Sequence, residues 1–204
     1  MARLRWTALA VLATVTLTAC TGGGTAKTTA QGQVKATGAR SSVELSKGLD
    51  ITVPAGYVRQ PDTVDDTGPS DLEKAVSDDG ADDARDVFTR DRFVRGYQRE
   101  WARSDNEQII SYVYQFADNA GGVDYCKRVT ADSGTQTDGA SVSPFDVAGI
   151  AGAVGVNGSD HSFATSSVTF VKGPYCVQVV LNSTSAAGLQ SLVTSVAEEQ
   201  YSRL

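Results

Sequence analysis

The chain has 204 residues, 41% hydrophobic and 21% charged, and a formal charge of -6. That size and composition fit one ordinary globular domain with one core once any leader is set aside. A net acidic chain lacks the concentrated positive charge that nucleic acid requires, so nucleic acid is excluded as a partner. An anionic membrane surface would repel it too, so residence there would need a covalent anchor.

Arg3 and Arg5 form a short positive start, followed by the apolar run Trp6–Leu17. A bilayer-spanning helix needs roughly 20 apolar residues. The run is too short for that and reads as the apolar core of an export signal. Leu17-Thr18-Ala19-Cys20 follows directly. These four residues resemble a bacterial lipobox, in which a branched apolar residue and two small residues precede a Cys. The resemblance implies that residues 1–19 are a cleaved lipoprotein signal peptide. It further implies that Cys20 carries the lipid and that the rest lies on the extracytoplasmic face of the cell membrane. Loss of Arg3 and Arg5 leaves 16 basic against 24 acidic residues, a charge near -8.

Residues 20–47 are expected to be a lipidated flexible tether. Gly, Thr, Ala, Ser, Gln and Lys dominate, and such a segment buries too little apolar surface to offset its ordering entropy. Residues 48–204 are expected to form a single domain. Leu49–Val53 alternates and ends at Pro54, the pattern of a short strand. Residues 56–69 read as a polar loop. Ser70-Asp71-Leu72-Glu73 reads as a helix start, and a second short helix is expected over Asp82–Arg92. Arg95–Arg103 and Gln108–Phe116 alternate on either side of Ser104-Asp105-Asn106-Glu107, a hairpin signal. A helix is predicted from Asp118 to about Thr130, weakened by Gly121 and Gly122. Phe145–Val156 reads as one irregular strand. Phe163–Val171 and Tyr175–Asn182 form a second hairpin around Lys172-Gly173-Pro174. The last helix spans about Ser185–Arg203, with Leu189, Leu192, Val193, Val196 and Ala197 at helical spacing.

The unit hairpin–helix occurs twice, which points to an α+β fold: a single antiparallel sheet with helices packed on it. The element order, the Gly56-Tyr57 turn and the late hairpin with its terminal helix resemble the Mog1/PsbP-like group, whose fold is an α/β/α sandwich. The stretch Phe145–Gly152 is similar to one found in small lipoproteins of high-GC Gram-positive bacteria. This likeness implies an accessory or binding module and assigns no residue a role.

Cys126 and Cys176 are the cysteines left once Cys20 is acylated. In an oxidising compartment an even pair is expected to form a disulfide. Neither has a second Cys or His near enough in sequence to suggest zinc. The lone histidine, His161, lies in a polar turn, and no G-x-S-x-G elbow, phosphate loop or dinucleotide fingerprint occurs. No catalytic residue, metal or cofactor is therefore assigned. Ten acids crowd residues 62–86 without EF-hand spacing and read as a solvated face. The most suggestive group is Arg95, Tyr97, Arg99, Trp101 and Arg103, which strand alternation puts on one face. Aromatic surfaces with arginine forks suit a glycan, an anionic headgroup or a peptide carboxylate. The competing reading is packing: arginine stems cover the rings beneath a helix, and the guanidiniums pair with the acids of 62–86. The expected function is a membrane-anchored extracytoplasmic lipoprotein serving as a non-catalytic binding or accessory module. Its partner would be an envelope protein or ligand. The alternative is a carboxylate-dependent cell-envelope hydrolase.

Overall fold

The computed structural model describes residues 39–63, 67–134, 141–159 and 163–204. Cys20 and His161 lie outside these residues. Eight strands form one antiparallel sheet, with five helices packed against it. The elements are α1 (Ser42–Gly48), β1 (Val58–Arg59), β2 (Gly68–Ser70), α2 (Leu72–Asp79), α3 (Ala84–Arg90), β3 (Phe93–Ser104) and β4 (Glu107–Phe116). They continue with α4 (Asn119–Ser133), β5 (Ser141–Asp146), β6 (Val154–Ser159), β7 (Ala164–Lys172), β8 (Tyr175–Ser183) and α5 (Leu189–Arg203). The sheet order is β1-β3-β4-β8-β7-β6-β5, and β2 also pairs with β3.

Both expected hairpins are present. Their second strands, β4 and β8, pair with each other at the centre of the sheet. The two helices that follow them take opposite faces. On one face, Val193, Val196 and Ala197 of α5 and Leu45 of α1 pack on Trp101, Ile109, Val113, Val168 and Val179. On the other, α2, α3 and α4 enclose an aromatic cluster centred on Phe88. The Phe88 ring lies 4.7 Å from Tyr125 and 5.4 Å from Tyr114, centroid to centroid, within the range of favourable aromatic pairs. The edge strands β2 and β5 each carry a proline, Pro69 and Pro144, where a missing donor discourages pairing with a further strand.

Several boundaries differ from expectation. The folded domain begins before residue 48. Ser41 and Glu44 form a reciprocal capping box that starts α1, and Leu45 and Leu49 are fully buried. Leu49–Val53 is not a strand: side chains of α5 bond its backbone instead, Gln200 donating to the Leu49 carbonyl at 3.0 Å and the Thr52 N–H donating to Glu199 at 2.8 Å. The 56–69 loop contributes the short strands β1 and β2. Phe145–Val156 is two strands rather than one, joined by a turn in which Gly149 and Gly152 have φ of 80° and 74°. Those left-handed conformations suit glycine and end strand geometry.

The glycines of α4 have a packing reason. A Cβ on Gly121 would stand 2.1 Å from the Asp91 carbonyl oxygen, and one on Gly122 would stand 3.1 Å from the Pro174 carbonyl carbon. Gly121 lies too close to its turn to admit a side chain, and Gly122 leaves only a tight fit against the other. Asp118 caps this helix by accepting from the Gly121 N–H at 3.1 Å.

Candidate functional site

Strand β3 puts Arg95, Tyr97, Arg99, Trp101 and Arg103 on one face, as its period requires. Helix α1 covers the middle of that row. Tyr97, Arg99 and Trp101 are 4%, 1% and 1% exposed, so these three are core rather than open surface. The Arg99 guanidinium stacks 5.3 Å from the Tyr97 ring centroid. Its Nη2 donates to the Ser46 carbonyl at 3.3 Å and to the Ser46 hydroxyl, and its Nη1 lies 3.5 Å from Asp50 Oδ1. Among the described residues, its Nε and Nη1 have no hydrogen-bond partner. Burial, reinforced by the field of Arg59, lowers the Arg99 pKa.

The ends of the row differ. Arg103 is exposed, paired through two 2.6 Å bonds with Glu107 and set 5.4 Å from the Tyr57 ring centroid. Arg95 is half-buried at the other end of the strand.

The acids of 62–86 answer to other cations than β3 was expected to supply. Asp62 meets Arg59 at 3.3 Å, Asp78 meets Lys74 at 2.9 Å, and Glu73 accepts from Arg85 at 2.8 Å. Asp79 holds Arg128 of α4 at 2.7 Å and accepts from the Tyr125 hydroxyl at 2.9 Å. Arg128 also reaches Asp83 at 2.9 Å. Its hydrogen bond to Asp79 raises the Arg128 pKa, and burial pushes the Tyr125 phenol well up. Arg128 carries no sequence signal of this role, because its hydrogen-bonded partners Asp79 and Asp83 come from a segment some 45 residues upstream. One contact does join β3 to this segment: the Tyr97 hydroxyl donates to Asp62 Oδ2 at 2.6 Å. That hydrogen bond holds the Asp62 carboxyl below the usual range.

Cys126 of α4 and Cys176 of β8 form a disulfide, with 5.5 Å between their Cα atoms. Both are buried beside the aromatic cluster, so the bridge ties α4 to the centre of the sheet. Among the described residues, no His, Cys, Asp and Glu side chains gather as a metal site.

An open concavity lies along the outer side of α5. Its volume is about 580 Å³, and it is lined by Asp146, Ala148, Ala186, Gly188, Gln190, Ser191, Thr194, Ser195 and Glu198. Small side chains make the hollow. Its polar groups are hydroxyls, one amide and two carboxylates, with no cation among them. It therefore suits a ligand that donates hydrogen bonds or carries positive charge.

No family model and no curated protein matches this chain. Among solved structures, the chain is similar to the extracellular domain of PknH from Mycobacterium tuberculosis, with a TM-score of 0.48 and 8% identity. The match covers 81% of this chain and 98% of that one. No sequence signal pointed to the α5 concavity. Its lining residues are ordinary in type and are drawn together from the end of β5, the turn before α5 and the helix itself.

Proposed function

We propose that this chain is an extracytoplasmic lipoprotein, held to the cell membrane through Cys20, whose domain is a non-catalytic binding module. The observation that carries this reading is the buried Cys126–Cys176 bridge. A paired, buried cystine is the ordinary state in an exported protein and is rare in the cytosol. It agrees with the positive start, the short apolar run and the lipobox of residues 1–20. No helix among the described residues is long and apolar enough to cross a membrane, and the anchor is assigned to the lipid on the lipobox of residues 17–20.

The binding surface assigned is the hollow beside α5, because α1 already occupies the aromatic row of β3. Its occupant is an envelope ligand or partner segment rich in donors or positive charge. The test has two parts. Blocking free thiols in intact cells should leave both cysteines unlabelled in the exported protein and reactive in a copy lacking residues 2–19. Free thiols in the exported form contradict the compartment. Ser195→Trp, which fills the hollow, should abolish cross-linking to the envelope partner while leaving the fold intact. Retained cross-linking moves the binding surface elsewhere.

Two carboxylates, Asp146 and Glu198, line the same hollow, and that keeps a hydrolase as the second reading. Cleavage of cell-wall glycan by the purified protein, lost in both Asp146→Asn and Glu198→Gln, would establish it.

A further inference from the structure

Residues 39–204 are acidic, with 24 acidic side chains against 14 basic ones. One end of the sheet departs from this balance. Arg95 of β3 pairs with Gln115 of β4, Gln115 with Tyr175 of β8, and Tyr175 with Lys172 of β7. Directly opposed residues share a face, so these four side chains form one row across four strands, about 14 Å wide. Arg40 lies above the middle of the row. Its guanidinium carbon is 5.4 Å from the Tyr175 ring centroid, and its Nη2 donates to the Leu204 carbonyl at 2.6 Å. With the Gln115 amide oriented to match its donors and acceptors, that side chain holds both the N–H and the C=O of Arg40 at 3.2 Å. Lys172 sits 4.6 Å from the Tyr201 ring centroid.

Arg40, Arg95 and Lys172 make no ion pair among the described residues. Arg95 Nε is buried without any hydrogen-bond partner there. The Glu44 carboxylate accepts from the Ser41 N–H at 2.7 Å and the Ser41 hydroxyl at 2.8 Å, and its field reaches Arg40 without an ion-pair contact. The crowded acids of α2 and α3 pack on the opposite face of the sheet. This cationic end is also the point where the segment from Cys20 enters the fold, and the Gln115 clamp fixes that entry point.

We propose that the row Arg40–Arg95–Lys172 rests on anionic phospholipid headgroups, setting the domain's orientation on the membrane. The inference rests on the lipoprotein reading above, which joins this end of the domain to the membrane through the segment from Cys20. Three cations without an ion-pair contact among the described residues, gathered at one end of an otherwise acidic domain, suit phosphate diesters, and the net acidity of the rest disfavours docking by another side. The domain then stands with the β3–β4 turn farthest from the lipid.

The test uses the mature chain with Cys20→Ser, so that no acyl chain contributes. It is mixed with vesicles of phosphatidylcholine alone or with phosphatidylglycerol added. Binding should appear only with the anionic lipid and fall steeply as salt rises. Each cation at an anionic surface is worth roughly a factor of five. R40Q/R95Q/K172Q should therefore partition on the order of a hundredfold less. Since Arg40 and Lys172 also hold the Leu204 and Tyr201 carbonyls, a second readout leaves them intact. A fluorophore at Ser202→Cys, next in sequence to the Tyr201 that Lys172 contacts, should be quenched by spin-labelled headgroups, and one at Asn106→Cys, in the β3–β4 turn, should not. Equal binding to neutral vesicles, a fully folded triple variant that binds as well as the parent, or quenching at residue 106 instead of 202 overturns the proposal. Acylation of the unmodified protein is scored separately. Its absence would sink the anchor, whereas an acylated protein whose Cys20→Ser form ignores anionic vesicles would sink only the docked orientation.

Discussion

Leu45→Ala tests whether α1 is structure or tether. Leu45 is fully buried in the core shared with Trp101 and α5, in a segment whose composition resembles a linker. Truncating a buried leucine removes its transfer energy and leaves a partly uncollapsed cavity, together about 2–5 kcal/mol. For a domain of this size each 1 kcal/mol lowers Tm by about 2–4 °C, so a fall of roughly 5–15 °C is expected. The control is Val43→Ala in the same helix. Val43 is 65% exposed, and its loss should stay within about 0.5 kcal/mol. Thermal unfolding of the Cys20→Ser chain, followed by far-ultraviolet circular dichroism, reads both. If Leu45→Ala melts with the parent, α1 is not docked, and the covered state of Tyr97, Arg99 and Trp101 is refuted with it.

Four further outcomes follow from the same geometry. Replacing Cys126 and Cys176 by serine opens a crosslink between residues 50 apart. Chain entropy sets the loss at about 4 kcal/mol, read from urea unfolding of the double variant against the oxidised parent. Arg99→Met removes a buried guanidinium with two unmet N–H groups, so stability should be unchanged or higher by about 1 kcal/mol or more. A large loss would mean that the Ser46 and Asp50 contacts outweigh desolvation. Gly121→Ala places a methyl against a backbone carbonyl and should destabilise by more than the ~1 kcal/mol that alanine normally adds to a helix, reversing the usual sign in a melting experiment. The Asp62 carboxyl has its folded pKa below its unfolded one, because Tyr97 donates to it. Its contribution is therefore complete above the unfolded pKa and is lost as pH falls through the folded value. Asp62→Asn should flatten that part of the acid branch of stability against pH, and an unchanged slope would show that the Tyr97 bond is not formed in solution.

The hairpins and α5 were legible in the sequence because alternation over ten residues and helical spacing over fifteen leave little ambiguity. The strand period also sorted β3 correctly into its two faces. It could not say which face would be covered, and so a ligand-binding reading and a packing reading of Arg99 and Trp101 stand side by side in the sequence; their burial beneath α1 is the packing arrangement. The covering helix is hard to read in the sequence because seven residues with one fully buried leucine give almost no periodic signal. The pattern Ser41-x-x-Glu44, a capping box, was there to be read. The strands β1 and β2 are two and three residues long, and their existence depends on β3 offering an edge. The disulfide followed from compartment and parity. The α5 concavity and the Arg40–Arg95–Lys172 row had no such route, since each is assembled from elements that meet only through sheet order.

Mass analysis of the mature N-terminus, on protein recovered from its host membrane, tests the account most directly. The first residue should be Cys20, heavier by a thioether-linked diacylglyceryl group. A mature chain that starts elsewhere, or a Cys20 without lipid, would detach the domain from the membrane and contradict the role assigned to it.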